Sequence, residues 1–254
     1  MIEIPSITSP VLYLIGGGGT GGFTFNNLVR LLAGTKIPIH LYDGDQVEVK
    51  NLKRQPFHKE SVGQNKAKAL VKAAQETVLD APPLIAHPQY VVDEMELMGD
   101  ILMSLSDHNF PIIISAVDNV STRKLLNRMF VKWPMPYLVI DSGNHDQGGQ
   151  VVWTTNLSVK WKKTPFDKGK PIILKNMLET YPQLNKKEDH NPGINPSCEE
   201  VVDSEPQAMM ANSRNGDIIA NLIMHVIHHK PLAGNVFESN LEDFKTHVSL
   251  SYRT

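Results

Sequence analysis

The stretch "VLYLIGGGGTGGFTFNNLVRLLAG", residues 11–34, leaves this chain few ways to fold. Residues 11–15 are a short continuous apolar run stopped by glycine, the pattern of a strand buried on both faces. "GGGGTGG" at 16–22 admits a tight turn. Behind it Leu28, Leu31 and Leu32 recur at helical spacing across residues 23–34, with Gly34 as a stop. Within the turn, Gly16-x-Gly18-x-x-Gly21 lets backbone N–H groups approach a phosphate at a helix N-terminus. A second strand, 37–43, ends in Asp43, about 20 residues past the last glycine of the motif, where a ribose-binding acid is expected. A glycine turn kept only for close packing is the alternative; strand, helix and acid together favour the phosphate.

The rest of the chain continues the pattern. Residues 61–79 read as a strong helix, with Ser61 and Gln64 at capping-box spacing. Residues 83–91 are a weaker strand candidate. "PIIISAV" at 111–117 is a buried strand that runs into Asp118. A helix over 119–133, a strand over 136–141 and the start of another over 148–155 follow, with Gly148 and Gly149 as the turn. Strand and helix alternate from residue 11 to about 140, which predicts a Rossmann-like, doubly wound, mostly parallel α/β sheet covered on both faces. Residues 156–200 are polar, rich in Pro, Asn and Lys, and show no period; such a stretch inside a compact domain is usually functional or mobile. A helix returns over 206–229, and the tail reads as two short strands. With 254 residues and 41% hydrophobic content, one large domain can bury its core. The expected organisation is a nucleotide-binding part (1–155), an irregular crossover segment (156–205) and a C-terminal helix with strands (206–254).

Charge and cysteine usage narrow the function. The formal net charge is −2 with no basic block, so a nucleic-acid partner is not expected. Cys198 is the single cysteine, which excludes an internal disulfide and a four-cysteine zinc site. "MIEIPSITSP" has neither the basic start nor the apolar core of a signal peptide, and no apolar run approaches ~18–20 residues, so a soluble cytoplasmic protein is expected.

The glycine loop and Asp43 suit NAD as well as ATP. Residues 41–70, "LYDGDQVEVKNLKRQPFHKESVGQNKAKAL", favour the triphosphate, because they place Arg54 and Lys66 after the acid. A nicotinamide site has no need of these cations, whereas attack at a phosphorus concentrates charge on oxygens that they can stabilise. Lys66 also sits near a helix start, where the macrodipole disfavours a cation by some tenths of a kcal/mol; a solvated lysine beside Lys68 and Lys72 is the other reading. Asp118 has two readings as well. At a strand's carboxyl end it can hold Mg²⁺ together with phosphates and water, or it can cap the 119–133 helix.

In order, Gly-x-Gly-Gly-x-Gly (16–21), Asp43-x-Asp45, "NLKRQ" (51–55), "VGQNK" (62–66), "VDNVSTR" (117–123) and "DSGNHDQGGQV" (141–151) resemble the ThiF/MoeB and ubiquitin-activating-enzyme superfamily over most of residues 11–155. "YPQLNKKEDHNPGINPSCEE" and the "MMANS" helix start look like the short ThiF-family proteins of prokaryotic PRTRC-type gene clusters. The resemblance implies an adenylyltransferase that uses ATP and Mg²⁺, without zinc. Its substrate would be the C-terminal carboxylate of a small β-grasp ubiquitin-like or sulfur-carrier protein, and its working form a homodimer. Carried over by position, Gly16, Gly18, Gly19, Gly21 and Asp43 hold the adenosine and ribose. Asn51, Arg54, Gln55 and Lys66 line the phosphates, and Asp118 binds Mg²⁺. Asn119 and Arg123 belong to the same signature, with pairing to a nearby acid as Arg123's alternative role. Two features depart from the family pattern: the paired Cys-x-x-Cys zinc ligands are missing, and residues 1–10 lack the arginine that relatives commonly lend to a partner subunit. Losing one charge-stabilising donor typically costs ~10²–10³ in kcat.

Smaller features complete the reading. Cys198 lies where some relatives carry a covalent acceptor on a crossover loop. Glu199 and Glu200 disfavour its thiolate, so a cation such as His190 would have to assist; a small buried apolar role is the alternative. His225 and His229 are four apart, as if on one helical face, without the intervening glutamate of a metalloprotease. Trp133, Trp153 and Trp161 read as core or interface, and Met209 and Met210 as packing. A nicotinamide-dependent oxidoreductase, a non-catalytic nucleotide-binding subunit of an activating heterodimer, and an enzyme that adenylates a small molecule or peptide are the competing functions.

Overall fold

The computed structural model describes residues 1–105, 109–133, 135–145, 148–164, 168–186 and 206–253. After the short strand β1 (Ile2–Glu3), the chain builds β2 (Pro10–Ile15), α1 (Gly19–Leu31), β3 (Ile39–Tyr42), α2 (Lys66–Thr77), β4 (Leu84–His87), α3 (Glu94–Ser104), β5 (Phe110–Ser115), α4 (Val120–Lys132) and β6 (Leu138–His145). It then turns back through β7 (Gly148–Thr155), β8 (Val159–Trp161), β9 (Lys170–Leu174), the single turn α5 (Met177–Thr180), α6 (Pro206–Ile227) and the last strands β10 (Val236–Asn240), β11 (Lys245–Ser249) and β12 (Tyr252–Arg253).

Eight strands form the main sheet in the order β11-β10-β7-β6-β5-β2-β3-β4. From β4 to β6 the pairing is parallel; β7, β10 and β11 add on antiparallel. Strands β1, β8, β9 and β12 make a small antiparallel sheet. The period of two on β2 divides the core. Leu12 and Leu14 join Phe25 and Leu28 of α1, Leu70 of α2 and Ile219 and Ile223 of α6. Val11, Tyr13 and Ile15 join Leu97 and Ile101 of α3 and Leu125 and Met129 of α4. Helices on both faces of an apolar parallel centre are what the alternating pattern predicts.

Several elements depart from the sequence expectation. The 61–79 helix and its capping box are corrected. Residues 59–61 form a short 3₁₀ turn, and α2 begins at Lys66 with Asn65 as N-cap, its side chain accepting from Lys68 N at 3.1 Å. Backbone bonds to the 45–47 segment (Val47 N to Gln64 O, Gly63 N to Val47 O, Lys66 N to Asp45 O) hold residues 63–65 outside the helix. The first helix starts earlier than residue 23, at the glycine loop itself. Helix α3 was not anticipated: it buries only Leu97 and Ile101 and is announced by Asp93, which accepts from Met95 N and Glu96 N. Strands β8 and β9 and the turn α5 occupy part of the segment expected to be irregular.

Candidate active site

Parallel pairing fixes where the site lies. Ile15 is in register with Tyr42 on one side and Ser115 on the other, so the chain leaves β2, β3 and β5 at one common edge. Ligands of open α/β sheets gather at that edge. The first turn there depends on glycine. Gly16 adopts a φ of +95°, and a Cβ on Gly21 would lie 1.8 Å from the Gly16 carbonyl oxygen. Gly18 is the N-cap of α1 and supplies no side-chain cap. A Cβ placed on it would approach nothing closer than Gln55 Nε2 at 3.8 Å, so there is room before the helix N-terminus. Such an end presents backbone donors and a partial positive charge to an anion.

Asp43 is bonded to this loop. Its carboxylate accepts from Gly17 N at 2.6 Å and from Asp45 N at 2.8 Å while 9% exposed. Burial pushes its pKa up to about 6, against the opposing pull of Lys66. Lys66 is 2% exposed and donates to Asp45 Oδ2 at 2.9 Å. The solvated-lysine reading is therefore wrong: this ammonium is held inside, at the start of α2. Burial pushes the Asp45 carboxyl up, but Lys66 and the Tyr90 hydroxyl, which also donates to it, hold it below the usual range. Asn65 ties the parts together by donating to the carbonyls of Asp43 at 2.7 Å and Asp45 at 3.0 Å.

Asn51 is 1% exposed and organises the "NLKRQ" turn. Its side-chain oxygen accepts from Glu48 N at 2.8 Å, and its carbonyl accepts from the backbone of Arg54 and Gln55. Its Nδ2 is buried with no hydrogen-bond partner among the described residues. Gln55 is buried beside it and Arg54 is half-buried. Asp118 is exposed past the end of β5. It does not cap α4, because Asn119 does, accepting from Thr122 N at 2.8 Å. Arg123 takes the structural role. It is 6% exposed, donates to the carbonyls of Val117 and Ser142, and pairs with Asp141 at 3.5 Å.

The sequence reading passed over three groups here. Tyr90 lies against Gly44, where a Cβ would meet its ring at 2.5 Å. Asn65 was hidden in a helix placed too early. Thr20, Asn144, Asn212 and Asn215 form one cluster that joins α6 and β6 to the first turn of α1: Thr20 donates to Asn212 at 3.0 Å, and Asn215 to Asn144 at 2.6 Å and to the Gly143 carbonyl at 3.0 Å. Only the "MMANS" helix start hinted at it.

Other expected features fall elsewhere. Cys198 and His190 lie outside the described residues. His225 and His229 do not share a helical face: α6 ends at Ile227, and His229 has a φ of +53°. Met209 and Met210 are 36% and 50% exposed, so they do not pack as expected; Trp133 and Trp153 are core. Among the described residues no three His, Cys, Asp or Glu side chains converge to hold a metal, and no helix is long and apolar enough to cross a membrane.

The model of the ThiF family matches residues 7–237. SUMO-activating enzyme subunit 2 of Dictyostelium discoideum is 31% identical over an alignment of 148 residues that covers 55% of this chain and 20% of that protein. The chain thus spans about a fifth of that relative's length. Among solved structures, E. coli MccB crystallised with AMPCPP and selenomethionine MccA superposes with a TM-score of 0.62 at 16% identity, over 96% of this chain and 64% of that one. PaaA gives a TM-score of 0.58 at 17% identity, over 96% and 65%. These two share the fold, and the chain spans just under two thirds of each.

Proposed function

The chain belongs to the ThiF family, and from that membership we propose that it uses ATP with magnesium to adenylate the C-terminal carboxylate of a small ubiquitin-like or sulfur-carrier-like protein. One observation carries this reading: a fully buried lysine, Lys66, is held by Asp45 beside the strand-end acid Asp43. A nicotinamide site has no use for a cation kept there at the cost of burial; a triphosphate does.

The residues fit the nucleotide. The open N-terminus of α1 receives phosphate, Asp43 accepts from the ribose hydroxyls, and the buried Asn51 Nδ2 is a donor waiting for an acceptor. Asp118 would hold magnesium as one of few protein ligands, with phosphates and water completing the shell. The ion, when bound, screens the phosphate charge against the incoming carboxylate. Arg54 and Lys66 stabilise the charge that builds on the phosphate oxygens. A carboxylate oxygen of the substrate attacks the α-phosphorus, the bond to the bridging oxygen breaks, and pyrophosphate leaves with the electron pair.

MccB was crystallised with MccA, and the Dictyostelium relative is named for activating SUMO; both names support a small protein or peptide as substrate here. We place a thioester on Cys198 after adenylation: its thiolate attacks the acyl carbon of the adenylate, the bond to the phosphate oxygen breaks, and AMP leaves with the electron pair. Pyrophosphate exchange with candidate β-grasp proteins tests the reading, followed on a non-reducing gel. Exchange that requires the partner's free C-terminus is expected, with a reductant-sensitive adduct lost in Cys198→Ala. Exchange without any adduct would end the reaction at adenylation; no exchange with any carboxylate-ended protein or peptide would overturn the assignment.

A further inference from the structure

Helix α6 packs along α1 in the same direction. Gly216 lies against Phe23 and Thr24, where a Cβ would come within 3.0 Å of each, and Asp217 accepts from Asn27 Nδ2 at 2.9 Å. One helical turn before Gly216 stands Asn212, and one turn before Phe23 and Thr24 stand Gly19 and Thr20. There the exchange is reversed, with the glycine on α1: a Cβ on Gly19 would lie 2.2 Å from Asn212 Nδ2. The carboxamide occupies the place of the side chain that Gly19 lacks. Helical Cβ atoms tilt toward the N-terminus, so this place is on the side to which the first N–H groups of α1 point.

The carboxamide is also oriented. Asn212 Oδ1 accepts from the Thr20 hydroxyl at 3.0 Å and from Asn144 Nδ2. Asn144 is held in turn by Asn215, which donates to its Oδ1 at 2.6 Å. With the oxygen tied to α1 and β6, the NH₂ end faces Gly19, and among the described residues it donates to none. Asn212 is half-buried, so it is not sealed from solvent.

The neighbouring space suits an anion. Gly18 caps α1 without a side chain, and nothing comes closer to the place of its Cβ than Nε2 of the buried Gln55, at 3.8 Å. The Asp43 carboxylate, on the Gly17 side, is taken up by Gly17 N and Asp45 N. Donors from three separate parts of the chain, the α1 backbone, Gln55 and Asn212, thus border one helix N-terminus, which favours a group with several negatively charged oxygens.

We propose, on the triphosphate reading of this site, that Asn212 binds the phosphate chain of the nucleotide, its Nδ2–H donating to a phosphate oxygen seated at the start of α1. The nucleotide site is then not confined to residues 1–155, because α6 supplies one of its donors.

Calorimetry on the full chain tests this with two probes, ATP with magnesium and inorganic tripolyphosphate with magnesium. A hydrogen bond to a charged group is worth roughly tenfold to a hundredfold in affinity. Asn212→Ala removes the donor and suits the helix, so both probes should bind about tenfold more weakly. Asn212→Asp keeps the shape but sets a carboxylate at the N-terminus of α1, which favours the fold through the helix dipole and repels phosphate. Its unfolding midpoint without ligand should hold or rise, while its affinity for both probes falls at least about a hundredfold. A packing role would not give these opposite signs. Affinities within about twofold of wild type in both variants, or losses in both that track a lowered midpoint, would overturn the proposal. A wild type that binds neither probe saturably would overturn the triphosphate reading itself, and this role for Asn212 with it.

Discussion

At the residue scale, the role proposed for Asp118 predicts that its loss separates chemistry from folding. Asp118 is exposed, and the helix behind it is capped by Asn119. Asp118→Ala should therefore lower substrate-dependent pyrophosphate exchange by at least about 10² while changing stability by no more than about 0.5 kcal/mol. Near-normal exchange in the variant would remove Asp118 from the reaction. Asp43 behaves differently because it is buried. With its pKa at about 6, it is ionised above that value, and in the proposed role it would accept most strongly from a ribose there. Affinity for ATP should be level above pH 7 and fall as pH drops through 6. Asp43→Asn should bind more weakly and without that step; calorimetry at a series of pH values reads both.

At the scale of elements, β3, β4 and α3 share a pair of histidines, His40 buried and His87 half-buried. His40 Nδ1 and His87 Nε2 are 3.0 Å apart, and Tyr42 stacks on His87 with ring centroids 4.0 Å apart. Tyr13 lies on the other side of His40, and Asp100 of α3 faces the pair. Burial, then the neighbouring His87, pushes His40 down to about 4, with Asp100 opposing in part. The unfolded chain takes up this proton near 6.5 and the folded chain near 4. The stabilisation is therefore complete above 6.5 and is lost as pH falls from 6.5 to 4, by roughly 3 kcal/mol at most. Asp43 has the opposite sign: its raised pKa favours folding below 3.8 and loses that contribution as pH rises to about 6. Comparing urea midpoints of wild type and His40→Gln between pH 7 and 4.5 isolates the histidine. The variant should lose much of the decline on the acid side; parallel curves would contradict this.

The same scale shows why some elements could be read and others not. The strands β2, β3 and β5 are short apolar runs closed by glycine or acid, and both partners of a parallel centre must be apolar, so the sequence announces them. Helix α2 was placed too early because Ala and Lys carry no boundary; its true start depends on Asn65 bonding to residues 43 and 45, which no local pattern shows. Strands β8 and β9 expose Lys160 and Lys170 and sit in a small side sheet, where half the residues need not be apolar. The candidate site residues from 16 to 66 were legible because they follow one another in order. The Thr20–Asn144–Asn212–Asn215 cluster was not, because it joins three distant segments through polar side chains without a period.

For the whole molecule, the family reading predicts two copies acting together. The chain carries one glycine loop and no internal second copy, and the expected working form is a homodimer. Light scattering at micromolar concentration should give about twice the 28.3 kDa of one chain; a mass of one chain would contradict it. The most direct test of the central claim is simpler and needs no partner. Thermal unfolding is followed with ATP and magnesium, and separately with NADH, for the wild type and Lys66→Met. A ligand at 100 times its Kd adds about 2.7 kcal/mol of stability. ATP with magnesium should raise the midpoint, NADH should leave it unchanged, and Lys66→Met should lose most of the gain. A midpoint raised by NADH and indifferent to ATP with magnesium would contradict the assignment of this site to adenylation.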